Sequence, residues 1–346
     1  MNTKKLLFDL CSCMSISGFE YRSAEKLRSL VMPYFDEYIG DKVGNHIFVK
    51  KSKSEKAPKL LLDTHFDEVG LMVKDVTKEG FLRVCSIGGV DARIFPASEV
   101  TVYAGEKEIS GVVVKKAPHA RTPDEAGKLT AVTNLLVDTG YSKAELEELG
   151  VGIGTPVGMA KSYISLSDDV VSGPSFDNKS CCAAAVYAVS MLGDCGCDIY
   201  LSMSAKEGVG HRAASSAAYT VNPDFAIAID VGLGLAPGGD KKSNPKLGGG
   251  ACISVSAILD RAFTDRIIET AKKNEIPLQV IVEACGTGTH ADEIGAVREG
   301  IPTALLSLPI NFMHTGAETL YMSDFEATAK LICAVINDCF AGGEKA

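Results

Sequence analysis

Several acidic and histidine side chains stand directly after apolar runs that have the length of β-strands. In a parallel sheet such positions lie at the carboxyl ends of the strands, where open α/β sheets bind their ligands. Imidazole and carboxylate groups together suit Zn²⁺, Co²⁺ or Mn²⁺, and a set without cysteine argues against a structural zinc. The sequence therefore predicts a site for one or two divalent metal ions, with candidates among His65, Asp67, Asp177, Glu207, Asp230, His290, Asp292 and His314.

The elements expected to carry these residues alternate between strand and helix. An apolar run at 60–62 ends in Asp-Thr-His, and a regular alternation follows residue 172. Such alternation is typical of a parallel sheet with helices on both faces. We therefore expect an α/β fold with a mixed, mostly parallel sheet. The helices are predicted at 20–35 (amphipathic), 179–193, 211–220, 262–274, 291–299 and 324–341, and the strands at 198–204, 225–231, 278–284 and 302–308.

The region from about 70 to 164 has a different pattern. Short β-like runs are separated by turn residues, and a single short helix signal interrupts them at 142–149. This indicates a small β-rich domain, barrel-like or PDZ-like, inserted into the α/β domain. The predicted boundaries are 1–68 plus 168–346 for the α/β domain and 69–167 for the insertion.

Composition excludes several classes of protein. The 346 residues carry 35 Lys and Arg against 44 Asp and Glu, a net charge of −9, which disfavours a nucleic-acid-binding surface. No apolar run approaches the roughly 18 residues that span a bilayer. Eleven cysteines without a CxxC pair are typical of reduced thiols packed as small apolar residues. We expect a soluble, cytoplasmic protein with neither a nucleic-acid nor a membrane partner.

Ten short motifs, spread over nearly the whole chain, resemble one enzyme family. They are similar to those of the dinuclear-metal aminopeptidases of the glutamyl or tetrahedral type, within the wider clan of co-catalytic zinc peptidases. The combination of HxDExG and IGG is fairly specific, whereas GIPT alone means little. The motifs are SISGFE (15–20), DKVGN (41–45), THFDEVG (64–70), IGGVDAR (87–93), DTG (138–140), DN (177–178), KEGVG (206–210), AIDV (228–231), GIPT (300–303) and HT (314–315).

The resemblance implies a role for six residues, which lie between positions 65 and 314. His65 and Asp230 would bind one metal, and Asp177 would bridge both metals. His314 would bind the second metal. Glu207 would be the general base, and Asp67 would orient His65, as carboxylates commonly do for metal-bound histidines.

One position departs from the family pattern. The family has two consecutive glutamates, the first the base and the second a ligand of the second metal, but this chain has Gly208 after Glu207. Only Asp177 and His314 then remain for the second metal, fewer than the three protein ligands usual for catalytic zinc. His290, where the family has an aspartate, or less readily His211, could restore a ligand; alternatively, His290 is a helix-start histidine unrelated to metal.

The expected activity is removal of N-terminal residues from peptides by a metal-activated water, with Zn²⁺ or Co²⁺ (Mn²⁺ also suits) and one or two ions per chain. Two alternatives stay open: a pseudo-enzyme or peptide-binding protein that has lost the second metal, and a one-metal amidohydrolase or deacylase. The resemblance also implies a homo-oligomer, from a dimer to a tetrahedral dodecamer. His119 in the insertion would then lie at an interface or at the substrate's access route.

Overall fold

The chain folds into a mixed α/β body and a separate closed β-barrel. The structure, a computed structural model, describes residues 1–116, 118–120, 131–211, 213–240 and 244–340. The helices of this part are α1 Thr3–Cys11, α2 Ala24–Val31, α3 Lys143–Glu148, α4 Phe176–Ser190, α5 Ala213–Val221, α6 Arg261–Lys273, α7 Ala291–Ile294 and α8 Met322–Cys339.

Seventeen strands form two sheets within the described residues. They are β1 Glu37–Gly40, β2 His46–Lys50, β3 Lys59–His65, β4 Gly70–Val76, β5 Leu82–Ile87, β6 Glu99–Ala104, β7 Lys107–Val114, β8 Leu136–Asp138, β9 Pro156–Met159, β10 Ile164–Ser165, β11 Val170–Gly173, β12 Asp198–Ser204, β13 Phe225–Leu233, β14 Ala251–Ser256, β15 Leu278–Glu283, β16 Thr303–Asn311 and β17 Glu318–Tyr321.

The large sheet is parallel at its centre and antiparallel at its margins. Its order is β1-β2-β12-β3-β13-β16-β17-β11-β10, with β14 pairing with both β15 and β16. β12, β3, β13 and β16 are neighbours and all run in the same direction. Their carboxyl ends therefore lie along one edge of the sheet, which confirms the predicted α/β class.

Helices cover this sheet, so its central strands are buried and read as nearly continuous apolar runs. β3 is buried from Leu60 to its last residue, and β12 from Ile199 to its end. α4 is rich in alanine and cysteine and buried on almost every side, which lets α1, α8 and the sheet pack closely around it. α6 begins where the Asp260 side chain accepts a hydrogen bond from the Phe263 N–H, a typical N-cap.

The insertion is a six-stranded antiparallel barrel in the order β4-β5-β8-β7-β6-β9. Along β7 alternate residues point into the barrel and out to solvent, the pattern expected of a strand with one apolar face. The barrel has its own apolar core, which includes Leu71, Val84 and Val157. Its strands run from Gly70 to Met159, inside the predicted insertion, whose end points stay a prediction.

Two helices are shorter than predicted, and α4 begins and ends three residues earlier than predicted. α7 covers only Ala291–Ile294 because Gly295 and, five residues on, Gly300 interrupt the apolar pattern. The amphipathic segment at 20–35 is α-helical only in α2, with 3₁₀ turns on both sides; the second contains Pro33. No helix among the described residues combines the length and apolar character needed to cross a bilayer.

Candidate metal centre and active site

The carboxyl edge of the four central strands brings together side chains that are far apart in the sequence. β3 ends at His65, and β13 carries Asp230 in its second half. The 3₁₀ turn after β12 carries Glu207, and the segment after β16 carries His314. Asp177 enters from the first turn of α4. The strand-end pattern thus led to residues that share one site.

Three of these residues form a group with the geometry of a metal site. His65 Nε2 lies 3.1 Å from Asp177 Oδ1 and 3.6 Å from Asp230 Oδ1, and the three ligand atoms lie within 4.8 Å of one another. Ligands about 2.1 Å from a tetrahedral ion are separated by about 3.4 Å, so the donors are spaced for one divalent cation. A neutral imidazole and two carboxylates suit Zn²⁺, Co²⁺ and Mn²⁺.

The second carboxylate oxygen of Asp177 faces another histidine. His314 Nε2 lies 3.0 Å from Asp177 Oδ2, so the two oxygens of Asp177 each point at one imidazole, as in a bridging carboxylate. Gly208 borders the same small space but has no side chain to add. The described residues therefore offer His314 and Asp177 to a second ion, and no third carboxylate from position 208.

The charges of these groups are strongly coupled. Burial alone would lower the pKa of His65, but the surrounding carboxylates, that of Glu207 foremost, raise it well above its ordinary value. Burial would raise the pKa of Asp177, yet His314 and His65 hold it below its usual range. The hydrogen bond to Asp177 raises the pKa of His314 to about 9. The cluster is thus poised to hold positive charge, and a metal ion would replace the protons on its histidines.

Asp67 has a wider task than the one inferred from the sequence. His65 Nδ1 lies 3.0 Å from the main-chain oxygen of Asp67 and 3.6 Å from its Oδ1, so the main chain makes the closer contact. The Asp67 carboxylate accepts hydrogen bonds from the N–H groups of Glu207, at 2.9 Å, and Gly208, at 3.1 Å, and from the Ser17 hydroxyl. Asp67 thereby ties the segment that carries Glu207 to the end of β3, where His65 lies.

Glu207 is placed to exchange protons next to the three-ligand group. Its Oε2 lies 3.9 Å from His65 Nε2, and its Oε1 lies 3.2 Å from His211 Nε2. Burial raises the pKa of Glu207 above its ordinary value. A carboxylate with a raised pKa accepts and returns a proton more readily near neutral pH, which suits a general base.

The barrel contributes to the site through the IGG motif. His314 Nδ1 donates a hydrogen bond to the main-chain oxygen of Gly89, at 2.8 Å. At Gly88 the backbone φ is +77°, and an added Cβ would lie 2.8 Å from Val69 and 3.1 Å from the main-chain oxygen of Gly208. The glycines therefore let the barrel approach His314 and the Glu207 segment closely enough to hold both.

Two functional neighbours were missed in the sequence. The Glu318 carboxylate accepts hydrogen bonds from the main-chain N–H groups of His314, at 2.8 Å, and Asp177, at 3.1 Å. Burial and the charge of Asp177 raise the pKa of Glu318 to about 8. Ser17 holds Asp67, as described above. The only available signals were an acid four residues after a predicted ligand and a serine within the SISGFE motif.

His290 lies beside the site rather than among the grouped ligands. Its Nδ1 is 2.7 Å from Asp63 Oδ2, and its ring lies 6.0 Å from that of His65 and 6.2 Å from that of His211. Its Nε2 is buried and has no hydrogen-bond partner among the described residues. The three-ligand group found among the described residues does not include His290. His119 is exposed on a 3₁₀ turn, Pro118–Ala120, of the insertion.

Comparison with known proteins identifies the family. The chain is 34% identical over 341 residues to a lysyl aminopeptidase of Pyrococcus furiosus, covering 96% of each chain. An aminopeptidase structure from Desulfurococcus kamchatkensis superposes with a TM-score of 0.90 at 28% identity, covering 97% and 94%. The TET1 peptidase of Pyrococcus horikoshii superposes with a TM-score of 0.84 at 27% identity, covering 97% and 99%. The M42 glutamyl aminopeptidase family model matches residues 44–331. The chain therefore belongs to the M42 family of metal-dependent peptidases, and it is an aminopeptidase.

Proposed function

We propose that His65, Asp177 and Asp230 bind one divalent ion tightly and that Asp177 and His314 bind a second ion more weakly. The observation that carries this assignment is the set of three ligand atoms within 4.8 Å of one another, with a proton acceptor beside them. We expect Zn²⁺ or Co²⁺ in the tight site, and Mn²⁺ also suits its donors. The enzyme thus removes N-terminal residues from peptides with one or two ions per chain.

Each protein group has a defined task in this reaction. A bound divalent ion lowers the pKa of a coordinated water and polarises a carbonyl. Glu207 takes a proton from the attacking water and delivers it to the leaving amine. Asp67 holds Glu207 in place through the main chain, and Glu318 holds the main chain at Asp177 and His314.

We assign no ligand role to His290. Its ring neighbours are His65 and His211, whereas the incomplete pair consists of Asp177 and His314. The Asp63 carboxylate gives the buried imidazole a partner and raises its pKa against the effect of burial. His290→Ala should therefore leave the number of bound metal ions per chain unchanged, and a loss of one ion would make His290 the replacement ligand.

The experiment that tests the function combines metal analysis with hydrolysis. Purified protein is supplied with Zn²⁺, Co²⁺ or Mn²⁺, its metal content is measured, and aminoacyl-anilides and acyl-amino compounds are assayed side by side. Metal binding with anilide hydrolysis supports the aminopeptidase. Turnover of acyl-amino compounds alone would indicate a deacylase, and no metal with no turnover would indicate a binding protein.

A variant of Glu207 tests its role separately from metal binding. Glu207→Gln should lower kcat by about 10²- to 10⁴-fold, the contribution of a general base, while metal content stays the same. Glu269→Gln is the matched control, because it makes the same change on the exposed side of α6. A fully active Glu207→Gln enzyme would exclude Glu207 as the base.

We further propose a cytoplasmic homo-oligomer, from a dimer to a tetrahedral dodecamer. The TET1 peptidase of Pyrococcus horikoshii can assemble into a tetrahedron or an octahedral shell. On β15 two apolar side chains, Val280 and Val282, are 53% and 79% exposed, a feature that favours cover by another chain. The eleven cysteines are all free, in keeping with a reducing compartment. Light scattering on the purified protein tests the assembly.

A further inference from the structure

A large cleft beside the metal ligands has the room that a substrate needs. The cavity next to Gly208 measures about 30 Å³, enough for about one water molecule. The cleft on the other side of the ligands measures about 570 Å³, within the roughly 300–1,000 Å³ of small-ligand pockets. Its lining joins His65, Glu207 and Asp230 to two residues of β15, Ile281 and Glu283. The N-terminal residue of a peptide bound at the metal centre therefore has this cleft available to it.

Glu283 is a carboxylate in this cleft without a cationic partner among the described residues. Side chains alternate along β15, so Ile281 and Glu283 face the cleft while Val280 and Val282 face outward. The Oε2 atom of Glu283 is shielded from solvent and makes no close hydrogen bond within the described residues, and the group that faces this carboxylate is the neutral hydroxyl of Ser254. A shielded carboxylate oxygen without a cationic partner is costly, and a bound cation would relieve that cost.

The neighbouring acid, Asp292, is already committed to the protein's own structure. Its carboxylate accepts hydrogen bonds from the Thr287 N–H, at 2.9 Å, and from the Gly288 N–H, at 3.1 Å. These bonds shape the loop that follows β15. Burial and the negative charge of Asp292 raise the pKa of Glu283, against the opposing effect of the Ser254 hydroxyl.

The rest of the cleft lining is suited to a long side chain with a charged end. Among the described lining residues the carboxylates Asp177, Glu207, Asp230 and Glu283 occur without a lysine or an arginine. Metal ions at the ligands would balance the charges of Asp177 and Asp230 but not that of Glu283. Leu233, Ile281 and Met313 add apolar surface, against which the methylene groups of a lysine or an arginine can pack.

We infer that the cleft holds the side chain of the substrate's N-terminal residue and that Glu283 pairs with its positive charge, so that the enzyme prefers peptides beginning with lysine or arginine. This inference rests on the proposed function, because it takes the metal centre to be the place of peptide-bond cleavage. N-terminal aspartate or glutamate would meet like charge at Glu283. N-terminal leucine would fill the apolar part of the cleft and leave the carboxylate without a partner.

A hydrolysis panel tests the preference. The metal-loaded wild type should hydrolyse lysyl- and arginyl-anilides with a higher kcat/KM than leucyl- and glutamyl-anilides. Glu283→Gln, which keeps the shape and removes the charge, should lower kcat/KM for lysyl-anilide about 10- to 100-fold. It should change kcat/KM for leucyl-anilide by less than about threefold. Glu269→Gln, the same change outside the cleft, should change kcat/KM for neither substrate. Unchanged lysyl-anilide hydrolysis by Glu283→Gln, or a wild-type preference for glutamyl- or leucyl-anilide, would overturn the inference.

A binding measurement separates this inference from the proposed activity. Calorimetry on Glu207→Gln should give tighter binding of Lys-Ala-Ala than of Leu-Ala-Ala, and a Glu207→Gln/Glu283→Gln double variant should lose the difference. Such a result with no hydrolysis by the wild type would uphold the cleft's preference and contradict the proposed activity. Hydrolysis by the wild type without any preference in binding would support the proposed activity and contradict the cleft's preference.

Discussion

Restoring the missing glutamate at position 208 is the sharpest test of the metal centre. Gly208 borders the small cavity that Asp177 and His314 also line, and its N–H is bound to Asp67. An added Cβ would lie 3.1 Å from Ser17 Oγ, 3.6 Å from Asp67 Oδ2 and 3.7 Å from a Val69 methyl carbon. Only the serine contact is tight, and a hydroxyl can move by the few tenths of an ångström required. The site therefore accepts a side chain at this position.

Gly208→Glu should give the second ion the third protein ligand that catalytic zinc sites have. Loss of even an outer partner of a metal ligand lowers affinity 10- to 100-fold, so a gained ligand should raise it by about 100-fold or more. That corresponds to about 2.7 kcal/mol of binding free energy. Without metal, Gly208→Glu should instead lower the stability of the fold, because the new carboxylate stands close to Asp67 and repels it.

Two measurements on Gly208→Glu test the expected gain in metal affinity and the expected loss of stability without metal. Calorimetric titration with Zn²⁺ should show a second, tighter binding event, while urea unfolding in a chelator should show lower stability than in Gly208→Ala. Gly208→Ala controls for the added Cβ, and Gly208→Gln controls for shape without charge. If Gly208→Glu binds the second ion no more tightly than Gly208→Ala, the second site is not completed from this position, and the assignment of Asp177 and His314 as its ligands loses its basis.

Three further predictions concern other parts of the protein. His65→Ala should abolish the tight metal site, whereas His314→Ala should keep one ion per chain after desalting; equal losses would contradict two sites of unequal strength. Burial lowers the pKa of His46 to about 4, below its unfolded value of about 6.5, so its contribution to stability is complete above pH 6.5 and is lost as the pH falls towards 4. Between pH 7 and 5 the wild type should lose about 2 kcal/mol more of unfolding free energy than His46→Gln in urea titrations, and parallel losses would refute this. Gly88→Ala should weaken binding of the second ion, because its Cβ would collide with the residues at the metal centre, whereas Gly105→Ala, with a positive φ but open space around it, should affect only stability; equal metal binding by both variants would contradict this.

The sequence led to a group of side chains that the fold brings together, because strand ends carry information about position. β12 was predicted with its observed bounds, and the polar residues at or after the ends of β3, β12 and β16 meet at one edge because these strands, with β13 between β3 and β16, are parallel. The antiparallel strands at the margins of the sheet were harder to predict, since β1, β10 and β17 are four residues long or shorter and carry little periodic pattern. The short α7 was overestimated because a helical period continued past glycines that end the helix.

The contacts that orient the ligands lay beyond sequence reasoning. Glu318 reaches the main chain of Asp177, which is 141 residues earlier, and His290 binds Asp63 across 227 residues. Contacts across such sequence separations leave no local signal in the sequence, because only the order of strands in the sheet brings the two residues of each pair together. Residue types at strand ends thus predict which groups assemble, and tertiary packing decides which of them is held in which orientation.

The barrel takes part in the chemistry as well as in the fold. It holds His314 through the main chain of Gly89, and just after β9 the ammonium of Lys161 pairs with Glu68, beside the metal-binding strand. Glu68 also lies 3.2 Å from the buried ammonium of Lys179 on α4, the helix that carries Asp177. The proposed two-ligand site is therefore the one whose histidine is held by the barrel, while His65 and Asp230 stand on strands of the central sheet. Any change that loosens the barrel should therefore release the second ion first and leave the tight site occupied.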